Sequence, residues 1–348
     1  MRLKRCCNFS NNTECYTPRR PSMKAISSLR LTRRLLCLLG SSVLACSAFA
    51  QTWPTKPIKV ILPFAAGGGG DTVMRPISQK LAEALGQQVV LENIPGAGGA
   101  LGMRAAIRVP TDGHTFVMIS NTHAIIETLQ PNLGYVTLKD FVPVTYMASL
   151  PLVLVVNPNL PVKTTQELLA YDKQHPGKLN YASSGSGTIY HLVTEQFKYM
   201  TGSQMTHVPY KSSAVARTDV ISGQVDLMID GLATMKPFIE SGRVRALGVG
   251  AATRHPHLPN VPPVADAVPG FNEDAWVGMM APAGTPQVAV DRFSAEIGKL
   301  LANPEVRKLY ADQGMGVQGS TPAAFGVTVK NDIDKWAHII KTAKVKAD

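Results

Sequence analysis

The chain of 348 residues has no cysteine after position 46. Its five cysteines, Cys6, Cys7, Cys15, Cys37 and Cys46, all precede Gln51. From Gln51 on, a disulfide framework, a thiolate metal site and a cysteine nucleophile are therefore excluded. A strong positive charge is missing there too. The whole chain carries +11, but nine of its 35 Lys and Arg and one of its 24 Asp and Glu precede Gln51, leaving 26 basic against 23 acidic residues. No basic stripe of the kind that tracks nucleic acid is visible. No segment after Gln51 is apolar for long enough to cross a bilayer as a helix. His114, His123 and His207 are scattered, so no His/Asp/Glu cluster suggests a metal.

The first 50 residues read as a leader rather than as part of the fold. Residues 23–34 form a basic region, 35–46 an apolar stretch, and Ala48-Phe-Ala50 a small-x-small cleavage signal ahead of Gln51. Met23 reads as the true start, because residues 1–22 are polar, basic and unlike a signal peptide. Thr32-Arg33-Arg34-Leu35-Leu36 is a weak twin-arginine match, and Val43-Leu44-Ala45-Cys46 a weak lipoprotein box. Plain export and cleavage, giving a periplasmic protein without lipid on Cys46, is the expectation.

What is present is a strand, four glycines and an acid: Ile58-Lys-Val-Ile-Leu-Pro-Phe-Ala-Ala-Gly-Gly-Gly-Gly-Asp71. Residues 58–62 read as a buried strand. Val73, Ile77, Leu81 and Leu85 step by four, the stripe of an amphipathic helix, and Gly86 closes it. Gly67, Gly68, Gly69 and Gly70 thus sit where a strand becomes a helix. The backbone N–H groups of a helix N-terminus favour an anion, and glycine lets a ligand approach without a Cβ in the way. The P-loop lysine is absent, since Asp71-Thr72 follows Gly70. Asp71 would repel a polyphosphate, so a small carboxylate suits the loop better. Pro76 lacks an N–H that a helix interior needs, which predicts a late start or an irregular first turn.

Strand and helix signals then alternate: a strand at 89–92, a helix near 101–109, a strand at 115–120. This is α/β patterning with a parallel sheet. Pro151-Leu-Val-Leu-Val-Val-Asn-Pro158 and Trp276-Val-Gly-Met-Met-Ala-Pro282 are apolar strands, followed by helices at 165–174 and 287–301. They read as the two places where the chain crosses between domains. One domain is expected at 51–150 plus 275–348, the other at 151–274. The second domain repeats the strand–glycine–helix unit. Its strand is 179–183, its loop Ser184-Gly185-Ser186-Gly187-Thr188, and its helix stripe Ile189, Leu192, Val193, Phe197 and Met200 up to Gly202. Two small-residue loops facing one cleft would grip a ligand from both sides. Neither contains an arginine. Lys211 is a secondary cation, so backbone N–H groups and hydroxyls are expected to hold the ligand. At the C-terminal end, Pro304 and Pro322 open helices, and Trp336 falls on the core stripe of the last one.

Two rival chemistries fit poorly. Gly96-Ala-Gly-Gly-Ala-Leu-Gly102 imitates a dinucleotide fingerprint, but its spacing is wrong and no acid ends the next strand. Tight packing of helix on sheet is its ordinary explanation. Ser184 and Ser186 lack the Gly-x-Ser-x-Gly context of a hydrolase. His191 and Glu195 share a helix face without a second histidine at metal-binding spacing, and read as a hydrogen-bonded or solvent-facing pair. A periplasmic hydrolase or ligand sensor using the same cleft is the alternative function.

Taken together, the segments resemble the Bug family of periplasmic solute receptors, which serve tripartite tricarboxylate transporters. The matching pieces run from Trp53-Pro-Thr-Lys-Pro-Ile58 through Phe64-Ala-Ala-Gly-Gly-Gly-Gly-Asp71, Glu92-Asn-Ile-Pro-Gly-Ala-Gly-Gly99 and Pro110-Thr-Asp-Gly-His-Thr115. They continue with Lys178-Leu-Asn-Tyr181, Gly185-Ser-Gly-Thr188, His207-Val-Pro-Tyr-Lys211, Gly223-Gln-Val-Asp226 and Ala281-Pro-Ala-Gly-Thr-Pro286. The resemblance implies an α/β, two-domain periplasmic-binding-protein ("Venus flytrap") fold, each domain a sheet flanked by helices. It implies a monomer with no cofactor, no metal and no catalytic residues, which delivers a small carboxylate or related solute to membrane permease subunits and binds no nucleic acid. Carried over by position, the pocket falls on Phe64, Ala66, Gly67, Gly68, Gly69, Gly70, Asp71, on Asn121, Thr122, His123, and on Ser184, Gly185, Ser186, Gly187, Thr188. Tyr210 and Asp230 complete it.

Overall fold

Strand β1 (Ile58–Leu62) buries every side chain except Lys59, as a parallel strand covered on both faces must. The computed structural model that shows this describes residues 53–130, 132–343 and 345. The expectations about the leader, Cys46 and cleavage at Gln51 lie outside the described residues.

From β1 the chain turns through the glycines into helix α1 (Gly69–Leu85), which buries Val73, Met74, Ile77, Leu81 and Leu85 and is closed by Gly86 at φ 68°. The expectation of a late start does not hold. The helix begins among the glycines, and Pro76 lies in its interior. The first turn is already set before the proline is reached: Gly68 N–H donates to Ala65 O and Thr72 N–H to Gly68 O, each at 3.0 Å. Pro76 removes one bond from a helix that tertiary burial holds in place.

Strand β2 (Val89–Asn93) lies parallel to β1, and helix α2 (Ala100–Ala106) is shorter than its sequence pattern suggested. Strand β3 (Thr115–Ser120) is parallel to β1 on the other side. It runs directly into helix α3 (Asn121–Leu129). After the short α4 (Thr137–Asp140) comes the 16-residue β4 (Phe141–Val156), which starts ten residues before the strand expected at Pro151. There follow α5 (Thr165–Gln174), β5 (Asn180–Ser183), α6 (Ile189–Thr201), β6 (Thr206–Pro209), α7 (Ser213–Ser222), β7 (Leu227–Gly231), α8 (Leu232–Glu240) and β8 (Arg245–Val249). Strand β9 (Asp274–Pro282), α9 (Gln287–Ala302), α10 (Pro304–Ala311), β10 (Gly316–Val317) and α11 (Pro322–Ala343) complete the described chain.

Two sheets share β4. Its residues from Phe141 to Pro151 pair antiparallel with β9, in the order β2-β1-β3-β9-β4, with β10 also on β4. Its residues from Leu152 to Val156 pair antiparallel with β7 and β8, and β7-β5-β6 continue as a parallel set. The result is the two-lobed α/β architecture, each lobe a sheet flanked by helices. Helix α11 packs Phe325, Val329, Trp336 and Ile340 inward, and Trp336 is fully buried. Met200, counted on the core stripe of α6, is instead 37% exposed, in the last turn before Gly202.

Candidate functional site

The parallel strands of both lobes end on the same side. β1, β2 and β3 in one lobe, and β5 and β6 in the other, each release a loop that lines one cavity of about 580 Å³. Ligands of open α/β sheets bind at such carboxyl ends. Four helix N-termini reach the walls: Gly69 and Gly70 of α1, Asn121 and Thr122 of α3, Ile189 and Tyr190 of α6, Ser213 and Ala214 of α7. Two of these ends lack a side-chain cap. Gly68 at the start of α1 has none to offer. At the start of α6, Thr188 Oγ1 donates to Gly185 O at 2.8 Å instead of capping. Such ends project positive potential from N–H groups that the helix does not use.

Each loop has a local cause. Gly67 adopts φ +75°, where a side chain would be strained, and a Cβ on Gly70 would stand 2.4 Å from the Phe64 ring. Asp71 ties this loop down. Its carboxylate accepts from Gly67 N–H at 3.1 Å, from Arg75 Nη2 at 2.5 Å and from Asn93 Nδ2 at 3.3 Å. Burial opposes the Asp71 charge, but these donors together hold its carboxyl below the usual range. The negative charge expected to repel anions is thus neutralised inside the loop.

Across the cavity, Ile189 N–H of α6 donates to Thr122 Oγ1 of α3 at 3.1 Å. This bond joins the two lobes directly. The Asn121 amide stitches α3 to β9, donating to Asp274 O at 3.2 Å and accepting from Trp276 N–H at 3.3 Å.

Of the residues expected at the site, Phe64, Ala66, Gly67, Gly68, Gly69, Gly70, Asn121, Thr122, Ser184, Gly185, Ser186, Thr188 and Tyr210 line the cavity. Four do not, and the placement of each has a reason. Asp71 is consumed by the loop bonds above. His123 is fully buried behind it, where Nδ1 accepts from Ser120 N–H at 3.0 Å in a capping box. Burial pushes the His123 imidazole down to about 4, so it is neutral. Gly187 faces Leu129 and Ile126 at φ +80°. Asp230 is fully buried, accepting from Arg217 Nη1 at 2.9 Å and from Gly231 N–H at 2.8 Å.

Sequence reasoning also missed walls. Residues 95–99 line the cavity, although packing does explain Gly99, whose added Cβ would stand 2.6 Å from His123 Nε2. Their position after β2 matches that of Gly67 after β1, which was the available signal. Ser212, Ser213 and Ala214 after β6 follow the same rule, and Ser212 caps α7 by accepting from Val215 N–H at 3.4 Å. Tyr190, Leu150 and Trp276 carry no such signal, because their residue types read as core. Lys211 lines the cavity and is exposed.

The hydrolase alternative finds a serine–histidine pair among the described residues of this region: His207 Nε2 lies 2.7 Å from Ser183 Oγ. Ser183 is fully buried, and neither residue lines the cavity. His191 Nδ1 accepts from Gly187 N–H at 3.1 Å, while Glu195 accepts from Tyr181 and Lys198.

The comparisons with known proteins agree on one group. The family described as tripartite tricarboxylate transporter family receptor matches residues 73–345. Protein BugT of Bordetella pertussis is 33% identical over 320 residues, which is 90% of this chain and 98% of that protein. Among solved structures, Rpa4515 of R. palustris with adipate has a TM-score of 0.81 at 35% identity, covering 84% of this chain and 99% of that one. MatC from Rhodopseudomonas palustris with bound malate has a TM-score of 0.78 at 31% identity, covering 83% and 100%. The fold shared with them is the two-lobed α/β fold of periplasmic binding proteins.

Proposed function

The chain belongs to the family of tripartite tricarboxylate transporter receptors, and from that premise we propose that it is a periplasmic receptor for a small carboxylate, which it hands to the permease subunits of a tripartite transporter. The observation that carries this reading is the convergence of four helix N-termini, from two lobes, on one cavity of about 580 Å³ whose walls, among the described residues, contain no Asp, Glu or Arg. A carboxylate entering it leaves water and meets N–H dipoles already in place, so little reorganisation opposes binding. Lys211 supplies long-range attraction from the rim, where solvent weakens it.

Release and capture follow from the lobes. The backbone passes between them along β4 and near the start of β9. Rotation there would open the cavity, and closure would remake the bond from Ile189 N–H to Thr122. The carboxylates held by Rpa4515 and MatC support this ligand class. No step of the reading calls for a cofactor or for chemical change of the ligand.

Thermal shift against a carboxylate panel tests the proposal. A ligand at 100 times its Kd should add about 2.7 kcal/mol of stability. Calorimetry on two variants then separates backbone from charge. Gly69→Val adds bulk where a Cβ alone would lie 3.0 Å from Leu150 Cδ1, inside the cavity wall, and should abolish binding with the circular dichroism unchanged. Lys211→Ala should weaken binding by less than about tenfold. Loss of binding in Lys211→Ala with near-normal affinity in Gly69→Val would refute the backbone reading. Turnover of a bound carboxylate would refute the receptor.

A further inference from the structure

Helix α11 belongs to the first lobe, and one of its turns grips the chain where it crosses from the other lobe. Asp332 Oδ2 accepts from Trp276 Nε1 at 3.1 Å, and Lys335 Nζ donates to Glu273 Oε2 at 2.6 Å. Three apart, Asp332 and Lys335 share a helix face, so this turn holds both ends of the segment 273–276, where β9 begins. The two contacts differ in what they join. Trp276 pairs with Ser149 in the first lobe's sheet, and its ring meets Phe325 of α11 edge-on at 5.6 Å. Glu273 is tied to the other lobe. Its N–H donates to Gly250 O at 3.0 Å, just past β8, and Gly250 N–H donates to Leu152 O at 2.8 Å. Gln196 of α6 donates to the second carboxylate oxygen, Glu273 Oε1, at 3.1 Å.

A lobe rotation would carry Glu273 along with Gly250 and α6, while Lys335 stays with α11. The Lys335–Glu273 pair thus spans the hinge. It is not an ordinary surface pair. The Glu273 side chain is 4% exposed and that of Lys335 42%, and the ammonium sits 5.0 Å from the centre of the Trp336 ring. Exposed pairs contribute little, but a buried carboxylate deprived of its cation is strongly disfavoured. The neighbours add to that loss. Burial pushes the Asp274 and Asp332 carboxyls up, the Glu273 charge adds to the push at both, and Lys335 opposes it at Asp332.

We propose that the Lys335–Glu273 pair, with Gln196 as its anchor on α6, is a latch across the hinge that favours the closed lobes and so sets ligand affinity without touching the ligand. This rests on the receptor reading and adds to it how tightly the receptor holds. Glu273, Lys335 and Gln196 do not line the cavity. A group that acts only on the balance between open and closed lobes changes the fraction able to bind. It therefore weakens every ligand by one factor, whereas a cavity side chain changes the ratios between ligands.

The test titrates succinate, malate and adipate by calorimetry into wild type, Lys335→Met, Lys335→Arg and the double variant Lys335→Met/Glu273→Gln. Lys335→Met keeps the stem and removes the charge. It should weaken every acid that binds by a common factor of about fivefold or more, with the ratios among them unchanged. Lys335→Arg keeps the charge and should bind within about twofold of wild type. Glu273→Gln in the Lys335→Met chain removes the stranded carboxylate and should regain most of the loss, a rescue that a merely structural lysine would not show. Wild-type affinity in Lys335→Met, losses that differ from acid to acid, or a double variant as weak as the single one each overturn the latch and leave the receptor reading intact. If none of the three acids binds wild type, the receptor reading loses its support, and small-angle scattering of the unliganded proteins judges the latch alone. Lys335→Met must then show the larger radius of gyration, and equal radii overturn the latch.

Discussion

Replacing Thr122 with valine removes a single oxygen from the bond that joins the lobes. In the structure Thr122 is 7% exposed, and its hydroxyl accepts from Ile189 N–H at 3.1 Å, a contact the proposed closure would make. Valine has nearly the same shape, and the Thr122 backbone N–H still donates to Ser120 Oγ at 3.2 Å, so α3 keeps its cap. What changes is that Ile189 N–H is shut away from water with no acceptor. Such a group costs about 1–3 kcal/mol. In the open molecule the same N–H meets solvent and costs nothing. The penalty therefore falls on closure and appears as weaker ligand binding, about 5- to 150-fold at about 1.4 kcal/mol per tenfold. Calorimetric titration of wild type and Thr122→Val with the tightest carboxylate reads this directly. Thermal melting without ligand is the control, and should shift little. Equal affinities would show that the bond is no part of the ligand-bound state. An unliganded protein destabilised as much as binding is weakened would show that Thr122 holds the fold and not the closure.

Gly278 of β9 packs under α11, and a Cβ there would stand 2.1 Å from Phe325 Cζ. Gly278→Ala should therefore lower stability in urea by about 1–3 kcal/mol through overpacking, and Phe325→Leu in the same chain should restore part of it; a neutral Gly278→Ala would contradict the packing. Asp332 sits on α11, accepts from Trp276 Nε1 at 3.1 Å and has Lys335 and Glu273 nearby; burial pushes its carboxyl up to about 6, with Lys335 opposing. The folded state thus holds a proton that the unfolded chain has released, and stability falls as pH rises from about 4 to about 6, by at most about 3 kcal/mol for this group. Asp332→Asn, which cannot ionise, should flatten that fall in melting temperature. An unchanged slope between those pH values would refute the assignment.

Much of the fold could be read from the order of residues because its signals are local. β1, β3, α5 and the C-terminal stop of α6 at Gly202 fall where periodicity and glycine placed them. The strand expected at Pro151 was read too short, because residues 141–150 include Pro143, Tyr146 and Ser149, each half-buried, and the buried polar Thr145, which break up the apolar run. Pairing with β9 and β10, far along the chain, makes that stretch a strand. Pro76 misled for a similar reason. The missing N–H argued for a late start or an irregular first turn, and α1 begins at Gly69 with one face buried and Pro76 inside it.

The site divides along another line. Glycine loops after β1 and β5 were visible because glycine marks exposed backbone. The side chains beside those loops were less legible, since a polar residue near a ligand loop must satisfy its own bonds first. Asp71 and Asp230 do so inside the protein, with Arg75 and Arg217, whereas His123 meets the Ser120 backbone through Nδ1 and leaves its buried Nε2 without a hydrogen bond among the described residues. All three are removed from the cavity and hold its walls. Tyr190, which lines the cavity, escaped because it lies off the apolar stripe read for α6 and its residue type carries no ligand signal. Under the proposed function, recognition falls to groups that a helix leaves unused, which are the backbone N–H groups at helix starts. No residue alphabet records them until the topology has gathered them.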